Sequence, residues 1–375
     1  MITIDGSHLE GGGSIVRVAL ALSTLTGQEF KVINIRANRE VSGLKAQHLE
    51  SIKALKEICN AETNEINIGT KELWYKPGRI KGGKYKIDIG TAGSISLSLQ
   101  AIILPCLFAP KKVSLDIKGG TCGKWQASVD YLQNILIPHL TRFAKIELKI
   151  IKRGYYPKGG GEIILEITPK NNYPFSQETI PKIRLIKREK LEQISGIVNV
   201  SAELKDKEVA ERISKAVKNK LEKLNISVSI KNEYSPSLSI GGEIVLWASF
   251  ENKDNNNLII LGSSRLIEKN ESSEQIGQKA AEDLLGEINS DACVDHHLAD
   301  QLIPFMALLP GSEISCSGIS QHTESNIYVT ELFLPVKFEI DKKLNLISVI
   351  KAMNSPDFIF NERPFIAWTA KSPIE

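Results

Sequence analysis

The chain has 375 residues, 42% apolar and 24% charged, with 47 Lys and Arg against 44 Asp and Glu. That length predicts two globular domains, and a net charge of only +3 excludes RNA binding by bulk electrostatics, so any such contact needs a local patch. Five cysteines, odd in number and without CxxC spacing, exclude a zinc ribbon and a disulfide framework and point to a reducing, cytoplasmic setting.

The N-terminal run from Met1 to Ser7 alternates like a short strand. It carries neither the basic region of a signal peptide nor the long apolar run of an anchor, so no membrane is expected. A strand at Thr3–Asp5 leads through Gly11-Gly-Gly13 into a helix at Ser14–Thr24 that Gly27 ends, followed by a strand at Phe30–Ile35. After a basic link with Arg36 and Arg39, a second helix is predicted over Leu44–Cys59, with Leu44, Leu49, Ile52, Leu55 and Ile58 at helical spacing. Strand-like runs continue to Tyr75. The same order recurs as a Gly90–Ser94 loop, a helix over Ile95–Leu107, a strand over Lys112–Ile117, a helix from Trp125 to Phe143, and strands at Ile146–Ile151 and Glu162–Ile167. It recurs again over 296–338, where Pro310-Gly311 separates a helix from a short strand (Glu313–Ile319) and His322 opens a further helix.

This is a threefold helix–strand–helix repeat with added strands. Between its second and third units lies a stretch that fits no repeat: strands at Ile197–Leu204, Ile226–Ile230 and Glu243–Phe250, helices at Val209–Leu224 and Glu274–Leu285, and a polar turn over Asn252–Asn257. The expected fold class is therefore α/β (α+β), with a large domain over 1–184 and 283–375 and a smaller inserted α/β domain over 185–282.

Several residues have chemistry to offer. His322 follows a strand end among hydroxyls and a carboxamide, which suits a nucleophile or base, or a surface cap. Gly11–Gly13 opens a helix whose first turn carries Arg17. Free N–H groups beside a guanidinium suit a phosphate, and a plain strand-to-helix turn accounts for the glycines equally well. Neither a P-loop nor a Rossmann fingerprint is present. Glu10, just before the loop, would repel a phosphate unless a divalent cation stood between them, which makes it the candidate metal contact. Lys158-Gly-Gly-Gly161 precedes a strand and reads as a hairpin turn. Arg39, Lys45, Gln47 and His48 surround the start of the second helix and form a candidate phosphate face, or a solvated helix start. Lys124-Trp125 offers a cation and a stacking ring, though a half-buried Trp is the plainer reading. His296, His297 and Asp300 lack a further ligand at fixed spacing, which argues against a metal cluster.

Five blocks occur in one order: Gly11-Gly-Gly-Ser-Ile-Val-Arg17, Gly90-Thr-Ala-Gly-Ser-Ile-Ser-Leu-Ser-Leu-Gln100, Gly119-Gly-Thr121, Gly154-Tyr-Tyr-Pro-Lys-Gly-Gly-Gly161, and His297-Leu-Ala-Asp-Gln-Leu302 followed by Gln321-His-Thr-Glu-Ser-Asn-Ile327. Together they resemble the RNA 3′-terminal phosphate cyclase family. The resemblance implies four-stranded sheets in the repeats, a small domain inserted between the second and third, and RNA 3′ ends and ATP as partners. It allows a homodimer. Gln100, His297, Leu298, Ala299, Asp300 and Gln301 match the family's ATP-binding residues, although many members carry Tyr where His297 stands. The implied reaction is nucleophilic attack of His322 on ATP to form a His–AMP adduct, transfer of AMP to the RNA 3′-phosphate, and attack of the neighbouring 2′-hydroxyl to close a 2′,3′-cyclic phosphate. A divalent cation (Mg or Mn) would offset the triphosphate charge. A lysine-type nucleotidyltransferase is disfavoured because Lys86-Ile-Asp88-Ile lacks the glycine of Lys-x-Asp-Gly. An enolpyruvyl transferase, a noncatalytic scaffold of the same family and adenylation of a 5′-phosphate remain as alternatives.

Overall fold

A computed structural model describes residues 1–176, 179–251 and 257–352. It contains four four-stranded sheets, each mixing one parallel and two antiparallel pairings. The first comprises β1 (Ile2–Asp5), β2 (Phe30–Ile33), β3 (Glu62–Thr63) and β4 (Leu73–Lys76), in the spatial order β1-β2-β4-β3. Helices α1 (Ser14–Thr26) and α2 (Ala46–Cys59) connect its strands. The second sheet, β5 (Gly83–Asp88), β6 (Val113–Gly119), β7 (Ala144–Lys152) and β8 (Gly161–Pro169), has the order β5-β6-β8-β7. Its helices are α3 (Ile95–Cys106) and a segment in which α4 (Val129–Tyr131) passes through a π-helical stretch (Leu132–Leu136) into α5 (Ile137–Leu140).

The chain then lays down β9 (Arg184–Leu185) and leaves to build another sheet from β10 (Leu191–Ser201), β11 (Ser227–Ser235), β12 (Gly242–Phe250) and β13 (Ile260–Leu266). This sheet has the order β11-β10-β12-β13 and is accompanied by α6 (Val209–Leu221) and α7 (Ser273–Asn289). The chain returns through α8 (His296–Ala307), β14 (Glu313–Ser315), α9 (Gln321–Phe333), β15 (Val336–Asp341) and β16 (Leu346–Lys351). Here β14 pairs in parallel with β9, giving the order β9-β14-β16-β15. Three sheets thus share one strand order, with the last strand between the second and third, whereas the sheet β11-β10-β12-β13 instead places its first strand between its second and third.

The hub is α1. From Ser14 to Leu25 every residue is buried, because the helix is apolar nearly all round and packs against α2, α3 and α9. Gly27 closes it in the left-handed conformation (φ 75°). Because α1 is enclosed by helices from all three like-ordered sheets, whatever stands at its N-terminus lies where those sheets converge.

Several boundaries differ from expectation. The helix predicted from Trp125 begins only at Val129, because the Ser128 hydroxyl caps it by accepting from the Tyr131 N–H at 3.2 Å. Trp125 is not half-buried. It stands 95% exposed in a loop at φ 60°. The strand expected over Glu313–Ile319 stops at Ser315, and that at Ile197–Leu204 runs instead from Leu191 to Ser201. Five residues of the predicted polar turn, 252–256, lie outside the described residues. Gly159 and Gly160 sit at positive φ at the tip of the β7–β8 hairpin, where an added Cβ would meet the Thr91 carbonyl oxygen at 1.8 Å or Leu238 at 2.6 Å. Only glycine fits there.

Candidate active site

The glycine loop before α1 is tight because side chains fold back onto it. A Cβ on Gly12 would meet Glu10 Oε1 at 2.5 Å, and one on Gly13 would meet His48 Nε2 at 2.5 Å and Arg17 Nη1 at 2.9 Å. The loop is thus ringed by a carboxylate, an imidazole and a guanidinium. Arg17 is buried, and its Nε donates to Gln100 Oε1 at 2.7 Å across to α3. Burial, partly offset by Asp300, lowers its pKa to about 10, so it stays cationic at neutral pH.

His322 comes from the first turn of α9, where Ser320 Oγ caps the helix by accepting from the Thr323 N–H at 3.1 Å. Its Nδ1 makes an ion-pair contact with Glu10 Oε1. Among the described residues Nε2 has no hydrogen-bond partner, and the side chain is 44% exposed. Glu10 Oε2 accepts from Arg39 Nη2 at 2.7 Å. Burial opposes ionisation of Glu10, but His322 and the cations of Arg39 and Arg17 outweigh it, so its carboxyl is held below the usual range. Its Oε1 is buried and faces the His322 ring without an aligned hydrogen bond. An ionised carboxylate shared between an imidazole and a guanidinium is the chemistry a hard divalent cation would take as a ligand. Among the described residues no three His, Cys, Asp or Glu side chains are arranged to hold one, so such an ion would take most of its ligands from water and from a bound phosphate.

His48 stands at the equivalent place on α2 and differs in state. Its Nδ1 accepts from the Lys45 N–H at 3.0 Å, it is fully buried, and its Nε2 has no partner. Burial and the nearby cations of Arg17, Arg36 and Lys45 push its pKa well down, leaving a neutral ring.

His322, Arg17, Gln100, His297, Asp300 and Gln301 all line one cavity of about 610 Å³. The α8 side is set by Asp295, whose carboxylate accepts from the N–H groups of His297 and Leu298 at 3.0 and 2.9 Å and from the Tyr131 hydroxyl at 2.6 Å. Asp300 is half-buried. Burial raises its pKa to about 7 against the pull of His322 and Arg17. The His297 ring lies 3.9 Å from that of His296 and edge-on to Tyr131, and burial together with His296 holds its pKa down to about 4. His296 itself contacts Glu287 at 2.5 Å, which raises its pKa.

The structure brings together His322, Glu10, Arg17, Arg39 and His48 at the loop, and Gln100, His297, Asp300 and Gln301 along the cavity wall. Leu298 and Ala299 are fully buried in the core and do not line the cavity. Lys45 meets the site through its backbone N–H, and Gln47 does not line the cavity. Sequence reasoning missed Ser14 and Asn326, whose buried Oγ and Oδ1 lack partners, and Arg265, Glu268 and Glu271 from the fourth sheet's side. Asn326, within the Gln321–Ile327 motif, was within reach. The three charged residues had no local signal.

The sequence model of the RNA 3′-terminal phosphate cyclase family matches residues 8–340. A protein from Archaeoglobus fulgidus named RNA 3′-terminal phosphate cyclase is 42% identical over 346 residues, covering 91% of this chain and 99% of that protein. Proteins of the same name from Pyrococcus furiosus and Pyrococcus abyssi are each 40% identical, covering 91% and 94% of this chain and 95% and 99% of their own lengths.

Proposed function

The chain belongs to the RNA 3′-terminal phosphate cyclase family, and from that premise we propose that it uses ATP to convert an RNA 3′-terminal phosphate into a 2′,3′-cyclic phosphodiester through an adenylated His322. One observation carries the reading. The imidazole of His322 is engaged at Nδ1 by Glu10, its Nε2 is unpartnered, and it shares a cavity with Arg17, Gln100 and Asp300.

A proton held on Nδ1 beside the Glu10 carboxylate leaves the Nε2 lone pair free to attack the α-phosphorus. A nitrogen–phosphorus bond forms and diphosphate leaves. An oxygen of the RNA 3′-phosphate then displaces the histidine and takes the AMP. Finally the 2′-hydroxyl oxygen attacks the activated 3′-phosphorus, loses its proton, and AMP departs. This last step is intramolecular, with its reacting atoms already adjacent, so it needs little further acid–base machinery. The need for that hydroxyl makes RNA the substrate.

Arg17 would bear on the phosphates, supported by Gln100, while His48 would offer Nε2–H as a neutral donor and Arg39, with Lys45 and Gln47 at the α2 start, would face the RNA phosphate. His297 and Gln301 would border the base. Glu10 would hold a divalent cation (Mg or Mn), which supplies charge neutralisation to the triphosphate when bound. The three like-ordered sheets are proposed to form one domain, 1–184 and 283–375, with 185–282 inserted. Five unpaired, buried cysteines support a cytoplasmic setting, and among the described residues no helix is long and apolar enough to cross a membrane.

The test is covalent labelling. Incubation with α-labelled ATP and a divalent ion, followed by denaturation and peptide mass spectrometry, is expected to yield acid-labile AMP on the His322 peptide. His322→Ala is expected to abolish the adduct with its far-UV spectrum unchanged. An adduct that persists in the variant refutes the assignment.

A further inference from the structure

A second cleft, of about 520 Å³, shares the 122–126 loop with the His322 cavity. Its walls are that loop, Tyr155 and Tyr156 at the β7–β8 tip, and Ile240 and Leu266–Glu268 from the fourth sheet's side. Trp125, Gln126, Leu266 and Glu268 line this cleft and the His322 cavity alike, so the two share a wall at Trp125. Two large rings stand bare here, Trp125 at 95% and Tyr156 at 78% exposure. Exposed apolar residues scattered singly need no explanation, but two rings flanking one cleft, with Ile240 also exposed, form a patch.

The backbones that carry both rings are tied to their surroundings. The Trp125 backbone is held in the left-handed region, costly for a bulky residue, between the Val129 N–H bond to the Thr121 carbonyl (2.9 Å) and the Lys124–Glu268 ion pair (2.8 Å). Tyr155 is buried, with its hydroxyl donating to Asn199 Oδ1 at 2.9 Å, so Tyr156, the next residue, turns outward. The Lys158 N–H donates to Ser239 Oγ at 3.1 Å and fastens the hairpin tip to the fourth sheet's loop. With the backbone already tied, only the rotation of each ring is lost when a partner stacks on it.

Flat, exposed aromatic faces beside the Lys124–Glu268 pair suit unpaired bases, which stack without regard to sequence. A strand whose 3′-phosphate reaches His322 must leave the cavity along one wall, and the Trp125 wall is the one shared with this cleft. We propose that the cleft is a track for the nucleotides preceding the RNA 3′ end, their bases stacked on Trp125 and Tyr156. The inference rests on the RNA-end reading of the His322 site.

The experiment compares a 3′-phosphorylated single-stranded decanucleotide with a single nucleoside 3′-phosphate, using the full chain and its Trp125→Ala, Tyr156→Ala, Trp125→Phe and Tyr156→Phe variants. Binding is followed by the tryptophan fluorescence that Trp125→Phe removes and by competition. Stacking is worth about 5- to 150-fold in affinity per base. Each alanine variant is therefore expected to weaken the decanucleotide by that order, collapsing its advantage over the single nucleotide, and each phenylalanine variant to restore most of it. An equal loss on both ligands, no loss on the decanucleotide, or a concentration-dependent dimer that Tyr156→Ala breaks with RNA affinity intact would each overturn the proposal. His322 adenylation is read separately. If the length dependence appears without an adduct, the track stands and the reaction scheme fails; an adduct without length dependence is the reverse.

Discussion

Arg153 offers the sharpest energetic test of how the fourth sheet is held against the second. It follows β7, and its side chain and that of Asp130 on α4 are 3% and 1% exposed. The guanidinium grips Asp130 through both nitrogens, Nη2 donating to Oδ1 at 3.0 Å and Nη1 to Oδ2, while Nε and Nη2 reach Glu233 of β11 at 3.1 and 3.3 Å. Asn199 of β10 donates to Asp130 Oδ2 at 3.2 Å. Burial works against the charge on Arg153, but Asp130 and Glu233 more than offset it and raise its pKa. Arg153→Met would leave the Asp130 carboxyl buried without its cation and held only by an amide. Breaking a buried pair from one side costs about 3–5 kcal/mol, because the remaining charge is uncompensated. The Glu233 arm, 26% exposed, adds at most about 1 kcal/mol. Removing both charges, in Arg153→Met with Asp130→Leu, relieves that penalty and is expected to return stability to within about 2 kcal/mol of wild type. Urea unfolding followed by far-UV circular dichroism at pH 7 measures all four corners of the cycle. A single-variant cost below about 1 kcal/mol, or a double variant as unstable as the two singles summed, would refute the reasoning.

Two further outcomes follow from the site. Asp300 has its folded pKa raised to about 7, so its share of stability is fully present below pH 4 and is lost as pH rises from 4 to 7. Three units correspond to about 4 kcal/mol, and discounting for its partial exposure leaves about 2 kcal/mol. Asp300→Asn is accordingly expected to flatten the fall in urea midpoint between pH 4 and pH 8, and an unchanged slope would remove Asp300 as its cause. Glu10→Gln keeps the shape of the side chain but loses the charge that faces His322; Mn²⁺ binding in the presence of a non-hydrolysable ATP analogue, followed by electron paramagnetic resonance, is expected to weaken about tenfold or more, and wild-type affinity would exclude Glu10 as a ligand.

Where the sequence was legible, the reason is local. The helices α1, α3 and α8 announce themselves through apolar runs that a buried helix requires, and their ends through Gly27 and the capping residues Ser94 and Asp295. What was hidden depends on distant partners. β9 is two residues long and exists because β14, far along the chain, pairs with it. Trp125 could be named as a ring, but its left-handed backbone and exposure follow from the loop's ties to Thr121 and Glu268. The capping Ser128 was a readable sign that the helix starts later. No periodicity foretells that Glu10 and His322, near opposite ends of the chain, come into contact, nor that Arg153 faces Glu233.

The two histidines at the α1 N-terminus show how like connectivity yields unlike chemistry. α2 and α9 are the second helices of sheets with the same strand order, and each carries a histidine within its first turn, His48 third and His322 second along the helix. One residue of offset turns a side chain by about 100° on a helix, enough to separate their surroundings. His48 points under the glycine loop, where burial and three cations hold its ring neutral and its Nδ1 is spent on the Lys45 N–H. What it has left is a donor at a fixed point, suited to binding an oxygen and unsuited to attacking phosphorus. His322 is exposed, its Nδ1 faces a carboxylate, and its Nε2 is free, the arrangement a nucleophilic imidazole requires. The carboxylate that distinguishes His322 from His48, Glu10, belongs to neither histidine's helix: it comes from the loop that leads into α1.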